Sequence, residues 1–189
     1  MSGVRSLLGP PMKDLTIRKA LVKDFDKFYP FFKKNIQEQI PHYTQNAKMF
    51  YLDTDYSEKF LKKEVKTKRE ILYLAFHDTS IIGFLLTKKG YGGVGTAIWL
   101  AVAPEFQKHG CASSLLERWE YDTIEDGGHV VQLWTSKNNI PFYKKRGFTL
   151  MGKFPQSWFG LDDYFFYKIL APAEEKNYLR EYLAKKKRI

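Results

Sequence analysis

Ala97-Ile98-Trp99-Leu100-Ala101-Val102-Ala103-Pro104-Glu105-Phe106-Gln107-Lys108-His109-Gly110-Cys111-Ala112 is the stretch whose reading decides the fold. Its first seven residues are apolar without alternation, the pattern of a strand covered on both faces, and Pro104 closes it. After a short link, Gly110 opens a run to Glu125 in which Ala112, Leu115, Leu116, Trp119 and Thr123 recur at three- and four-residue steps, as on one helical face. The order is strand, turn, helix. A glycine at the mouth of such a helix lets N–H groups without intrahelical partners face outward, where they and the helix dipole favour a phosphate or another anion. Gln107 to Ser113 is therefore a candidate anion cradle.

Downstream, Gly127-Gly128 ends the helix and Val130 to Trp134 reads as a strand. A strand, helix, strand unit of this kind makes the strands at 97–103 and 130–134 parallel neighbours. Ile140 to Arg146 is predicted to be a short helix, with Pro141 in its first turn and Gly147 after its end. Phe148 to Phe154 and Tyr164 to Leu170 form the last strand pair. Pro172 to Ile189 reads as a basic amphipathic segment that can dock through Tyr178, Leu179 and Tyr182. Upstream, Ile71 to Phe76 and Ile81 to Leu86 read as a hairpin around Asp78-Thr79-Ser80. Gly90-Tyr91-Gly92-Gly93-Val94-Gly95 matches the dinucleotide fingerprint G-x-G-x-x-G in form only. That fingerprint must open a helix after a strand, whereas this one leads into another strand, so it is a turn.

Leu15 to Arg18 alternates as an edge strand does. Asp24 is placed to cap a helix carrying Phe25, Phe28, Phe32 and Ile36 on one face, with Pro30 interrupting or kinking it. Ser57 opens another helix with Phe60, Leu61, Glu64 and Val65. The segments 40–43 and 49–52 have no assignable form. Phe28, Tyr29, Tyr43 and Tyr51 serve either as core or as walls of a pocket.

The 189 residues, 44% hydrophobic and 16% aromatic, suit one domain spanning 1–189 with a sizeable core, and residues 1–12 read as a loose N-terminal segment. A net charge of +10 favours anionic partners such as coenzyme A, nucleic acid or an acidic membrane, or simply a basic solvated surface. The single cysteine, Cys111, excludes an internal disulfide and a paired-cysteine zinc site, and it points to the cytoplasm. No long apolar segment suggests a membrane span or secretion signal.

Gln107-Lys108-His109-Gly110-Cys111-Ala112 resembles the pyrophosphate-binding signature Q/R-x-x-G-x-G/A of the Gcn5-related N-acetyltransferase (GNAT) superfamily. Asn139-Ile140-Pro141-Phe142-Tyr143-Lys144-Lys145-Arg146-Gly147-Phe148 is similar to that family's second block, F-Y-x-x-x-G-F. The resemblance covers roughly Ile71 to Leu170. It implies an α/β fold with a mixed, mostly antiparallel central sheet, one parallel pair at the βαβ crossover and flanking helices. It also implies acetyl-coenzyme A as co-substrate. The pantetheine arm would lie along Leu100, Ala101, Val102 and Ala103, and the phosphates against Gln107, Lys108, His109, Gly110, Cys111, Ala112 and Ser113. Phe142 would lie beside the cofactor. Where the family often has an asparagine seven residues before the tyrosine, this chain has Ser136, so Asn138 or Asn139 stands in.

The implied reaction is acetyl transfer to a primary amine by direct attack, with Tyr143 as general acid toward the leaving thiolate. Cys111 sits in the phosphate-loop helix without a residue to activate it and is a packing residue, not a nucleophile. Asp162 and Asp163, at the start of the last strand, are the general-base candidates, with an ordered water as an alternative, and Trp158 and Phe159 are candidates for the acceptor wall. His129 lies at the wrong end. The acceptor is expected to be a protein or peptide amine, with a polyamine or small aromatic amine left open. The competing reading is a catalytically silent GNAT fold or a basic nucleic-acid-binding protein, although no nucleic-acid motif is present. The chain is expected as a monomer or homodimer.

Overall fold

The computed structural model describes residues 14–186; the expected loose segment 1–12 and the basic tip at Lys187 and Arg188 lie outside the described residues. The chain runs β1 (Leu15–Lys19), α1 (Phe25–Glu38), α2 (Gln45–Asp53), α3 (Glu58–Lys66), β2 (Glu70–His77), β3 (Ser80–Tyr91) and β4 (Val94–Val102). It continues through α4 (Cys111–Glu125), β5 (Val130–Thr135), α5 (Ile140–Lys145), β6 (Thr149–Phe154), β7 (Asp163–Ile169), α6 (Glu175–Tyr178) and α7 (Arg180–Lys186). The seven strands form one sheet in the order β1-β2-β3-β4-β5-β7-β6. Every neighbouring pair is antiparallel except β4 and β5, which are parallel. Among the described residues, no helix is long and apolar enough to cross a membrane.

Strand alternation divides the core between the two faces of the sheet. Tyr73, Ala75, Ile82 and Leu85 pack against Leu115, Leu116 and Trp119 of α4 on one face. Leu72, Leu74, Phe84 and Leu86 pack against Phe25, Phe28, Phe32 and Ile36 of α1 on the other. Each of those fully buried aromatic and aliphatic side chains is worth roughly 1.5–3 kcal/mol of burial. Phe84 holds the second face together by meeting Phe28 and Phe32 at 5.4 Å each.

Several elements depart from the sequence expectation for local reasons. Helix α1 runs through Pro30 without a break. Its buried phenylalanine face supplies far more than the hydrogen bond the proline removes. Asp24 does not cap α1; its carboxylate takes the Arg18 guanidinium at 2.7 and 2.8 Å and the Leu21 N–H at 2.6 Å. The segment 49–52 lies in α2, whose first turn is capped by Thr44 Oγ1 accepting from the Ala47 N–H. The glycine-rich stretch is mostly strand: Tyr91 pairs with Val94, and only Gly92 and Gly93, at φ +59° and +82°, make the two-residue turn. In the C-terminal segment the Tyr178 ring packs tilted against His129, with centroids 5.7 Å apart, and Arg180 donates to the Glu125 carbonyl at the end of α4. Tyr182 stays exposed and does not dock.

Glu70 begins β2 with its Oε2 atom buried and without a hydrogen-bond partner. Burial, reinforced by the charge of Glu64 and opposed by Lys88, pushes its pKa up to about 7. A carboxyl that holds its proton more tightly when folded costs stability as pH rises from its unfolded value near 4 through 7, and the penalty persists above that. Glu70→Gln is expected to raise the melting temperature by a few degrees at pH 8 and to leave it unchanged at pH 4. Thermal denaturation at the two pH values checks this; an equal effect at both would contradict it.

Candidate active site

The site begins with an irregularity in β4. Leu86 pairs with Trp99 and Thr87 with Ala97, so Ile98 has no residue opposite it in β3. This extra residue reverses the alternation: Ala97, Leu100 and Val102 face the α4 side, while Ile98, Trp99 and Ala101 face the α1 side. On its other edge β4 pairs with β5 only from Val94 to Thr96. The Gln132 side chain closes the last of these pairs by donating to Thr96 Oγ1 at 3.2 Å. Beyond Thr96 the two strands are unpaired, and Ile98 to Ala101 remain only partly buried instead of covered on both faces.

The open edge presents particular backbone groups. The Ala103 N–H donates to the Ile82 carbonyl at 2.8 Å, so residue 103 bonds toward β3. Successive residues of a strand point their N–H and C=O groups to opposite edges. Val102 and Leu100 therefore turn theirs toward the gap, while Ala101 turns its own toward β3 and the Ala103 carbonyl, past the end of the strand, accepts from the Phe106 N–H at 2.9 Å. Consistent with this, Gln107 Nε2 donates to the Val102 carbonyl at 3.0 Å and bridges to Gln39 Oε1 at 3.3 Å. The Gln107 side chain braces the end of β4.

The gap leads to the mouth of α4. Lys108 has φ +66° and Gly110 φ +88°, two left-handed residues in the loop that turns the chain into α4. Gly110 caps α4 with no side-chain hydrogen bond to the first turn, which also carries no acidic residue. The N–H groups of Cys111, Ala112 and Ser113 are the helix's unpaired donors, with Lys108 and His109 exposed beside them. The Cys111 thiol is buried, and burial pushes its pKa up to about 11, as suits a packing residue.

On the same side of the sheet, α5 holds Tyr143 only 7% exposed against Phe142, Phe148 and Phe166, with ring centroids 5.0, 5.6 and 5.8 Å away. Burial raises the phenol's pKa well above its usual value, so it stays protonated through neutral pH. Asn138 and Asn139 are both exposed, but Asn139 Nδ2 donates to Thr135 Oγ1 at 2.9 Å and fastens the start of α5 to the end of β5.

The opposite face carries an aromatic cleft of about 400 Å³ whose lining includes His42, Tyr43, Ala47, Phe50, Phe159 and Leu161. Phe159 meets Tyr51 at 4.9 Å, Tyr43 at 5.8 Å and Phe50 at 6.0 Å, and Tyr51 in turn meets Trp99 of β4 at 5.7 Å. The cleft is thus one ring away from the irregularity in β4. Trp158 turns elsewhere and stacks on Trp134 at 5.1 Å. Of these walls, the sequence reading missed His42, Phe50, Trp99 and Leu161; the capping threonine before 45–53 was the signal that a helix presents Phe50 and Tyr51 together.

The paired carboxylates separate into different environments. Asp162 is exposed, forms an ion pair with Lys153 and accepts from the Gln156 N–H at 3.2 Å, which lowers its pKa. It ties the β6–β7 loop. Asp163 is half-buried, and burial raises its pKa against the opposing effects of Ser157 and His42. It opens β7 two residues after Leu161, which lines the cleft. Tyr164 pairs with Thr135, so Asp163 lies at the end of the sheet where β4 delivers the chain to α4.

The sequence profile of the acetyltransferase (GNAT) family matches residues 27–148, well over half of the chain. The chain belongs to the GNAT acetyltransferase family. Acetyl-coenzyme A is the acetyl donor of that family, and the mixed sheet with its single parallel pair is the GNAT fold. PaiA N-acetyltransferase from Thermoplasma acidophilum, solved with coenzyme A, is similar in fold, with a TM-score of 0.68 at 19% identity over 82% of this chain and 98% of that one. A spermidine N-acetyltransferase chimera of Vibrio cholerae SpeG and hSSAT has a TM-score of 0.67 at 20% identity, over 84% and 96% of the two chains. Ard1 from Thermoplasma volcanium has a TM-score of 0.61 at 21% identity, over 84% and 99%. No curated protein matches this GNAT chain in sequence.

Gly110 has open space where a Cβ would stand, but its φ of +88° is strained for a branched side chain. Gly110→Val is expected to shift the loop amides and weaken acetyl-coenzyme A binding at least tenfold, read by calorimetry. Unchanged affinity in a folded variant would remove this loop from the cofactor site.

Proposed function

We propose that the chain is a single-domain N-acetyltransferase that moves the acetyl group of acetyl-coenzyme A to a primary amine by direct attack, in the cytoplasm. The observation that carries the reading is the parting of β4 from β5 after Thr96, beside the start of α4, whose N-cap Gly110 leaves the first turn without a side-chain hydrogen bond. The pyrophosphate would rest on the amides of residues 110–113, and the pantetheine arm would hydrogen-bond the Leu100 and Val102 backbone across the gap. Lys108 and His109 add positive charge at the phosphate end.

The acetyl thioester then lies in the gap, where the α4 face and the aromatic cleft meet. The amine, deprotonated by Asp163 directly or through a water, attacks the thioester carbonyl; the new C–N bond forms and the C–S bond breaks. Tyr143 donates its proton to the departing sulfur, for which it must be protonated beforehand, as its burial ensures. Position and orientation of the two substrates supply most of the acceleration, because the thioester is already activated. The raised pKa of Asp163 sets the acid limit of the reaction: as pH falls through it, the base is lost.

Two variants test these roles separately. Tyr143→Phe should lower kcat by roughly 10- to 100-fold while leaving the cofactor's dissociation constant near its original value. Wild-type turnover under conditions where chemistry limits the rate would exclude the tyrosine. Asp163→Asn should reduce kcat/KM at pH 7 by about 100-fold or more and abolish the acid limb of the pH profile. A limb that persists unchanged would assign the base elsewhere.

A further inference from the structure

The β6–β7 loop is held in a costly conformation. Gln156, Phe159 and Gly160 all have positive φ, +49°, +58° and +74°. A left-handed conformation is tolerable for glycine but strained for a bulky aromatic residue, and strain of this kind persists only where surrounding structure enforces it. The enforcing contacts are local: Lys153 and the Gln156 N–H hold Asp162, and the Ser157 N–H bonds the Leu161 carbonyl at 2.6 Å. The result is that Phe159, though 48% exposed, is laid over Tyr43, Phe50 and Tyr51 as one wall of the cleft.

The cleft combines electron-rich ring faces with a carboxylate close to its rim. Asp162 is paired with Lys153, whereas Asp163, two residues after the lining Leu161, has no ion-pair partner among the described residues. Burial lowers the pKa of His42 and raises those of Tyr43 and Tyr51, so all three are neutral near pH 7. Lys48, next to this group, is buried and donates to the Gln37 carbonyl at 2.8 Å, placing a fixed positive charge near His42. Such surroundings attract one cation over ring faces and repel a second. A volume of about 400 Å³ suits a small ligand whose apolar body fills it.

We infer that the acceptor is a small primary amine with one positive charge and a flat apolar body, an arylalkylamine in chemical class, its ring against Phe159 and Phe50 in the cleft and its nitrogen toward Asp163. This rests on the acetyltransferase reading and narrows its acceptor away from the protein or peptide amine expected from sequence. The balance is that of the parent reaction: the ammonium loses one proton to Asp163, the free amine forms the C–N bond as the C–S bond breaks, coenzyme A leaves as the thiol with the proton of Tyr143, and the second proton shed by the nitrogen on becoming an amide restores the tyrosine, so that one proton in all passes through Asp163 to solvent.

The test is a panel of phenethylamine, spermidine and a lysine-containing peptide with acetyl-coenzyme A, run on the wild type, Phe159→Gly and Phe50→Ala. Phenethylamine should lead the other two by at least tenfold in kcat/KM. Phe159→Gly should raise its KM at least tenfold while the melting temperature stays level or rises, because glycine relieves the left-handed strain. Phe50→Ala, on the exposed opposite wall, should raise the same KM without loss of folding. Preference for spermidine or the peptide, or an unchanged KM in both variants, overturns the inference and leaves acetyl transfer standing. Acetylation of none of the three, with acetyl-coenzyme A shown by calorimetry to bind, overturns both.

Discussion

Strands β4 and β5 are paired from Val94 to Thr96 and then part, and everything assigned to the site depends on that parting. A parallel neighbour along the whole of β4 would consume the outward N–H and C=O groups of Leu100 and Val102 and seal one face of the sheet from the other. The extra residue at Ile98 turns the strand away from its neighbour, while the β3 ladder keeps its opposite edge in place. The cost of the unpaired edge is limited because one carbonyl is already satisfied by Gln107 and because Ile98 to Ala101 still bury part of their surface.

The two faces of the sheet then take separate tasks. The α4 face is built from aliphatic packing under an uncapped helix and holds Tyr143 dry beneath Phe142 and Phe148. The other face stacks phenylalanines of α1 against Phe84 and passes, ring by ring through Tyr56, Trp99 and Tyr51, to the cleft under Phe159. The net charge of +10 does not describe either face: Asp163 stands at the start of β7 near the aromatic cleft, and the start of α4 on the other face carries no acidic residue in its first turn.

Much of the fold was legible because it is written in local periodicity. The helical faces of α1 and α4, the hairpin turn after Asp78 and the parallel crossover follow from spacing and turn residues alone. The two short signatures, at 107–112 and 139–148, could be singled out because each sits at an element boundary that glycine and proline mark. What sequence could not give was the consequence of long-range register. An unalternating run from Ala97 to Ala103 reads as a strand buried on both faces, yet the missing neighbour leaves its centre partly open. Asp162 and Asp163 are indistinguishable as adjacent letters; only the position of Lys153 on β6 and the packing near His42 separate them. Phe159 lies beyond the stretch matched by the family profile, and nothing in its neighbours announces a left-handed backbone.

Amide hydrogen exchange along β4, followed residue by residue with and without acetyl-coenzyme A, reaches the central claim most directly. In the free protein the Ala101 and Ala103 amides should be protected by β3, while Leu100 and Val102 exchange readily across the gap. Saturating cofactor should slow Leu100 and Val102 strongly, slow residues 111–113 at the start of α4, and leave Ala101 and Ala103 as they were. Tight binding that leaves Leu100 and Val102 unprotected, or that protects a different strand edge, would contradict a cofactor seated between β4 and β5.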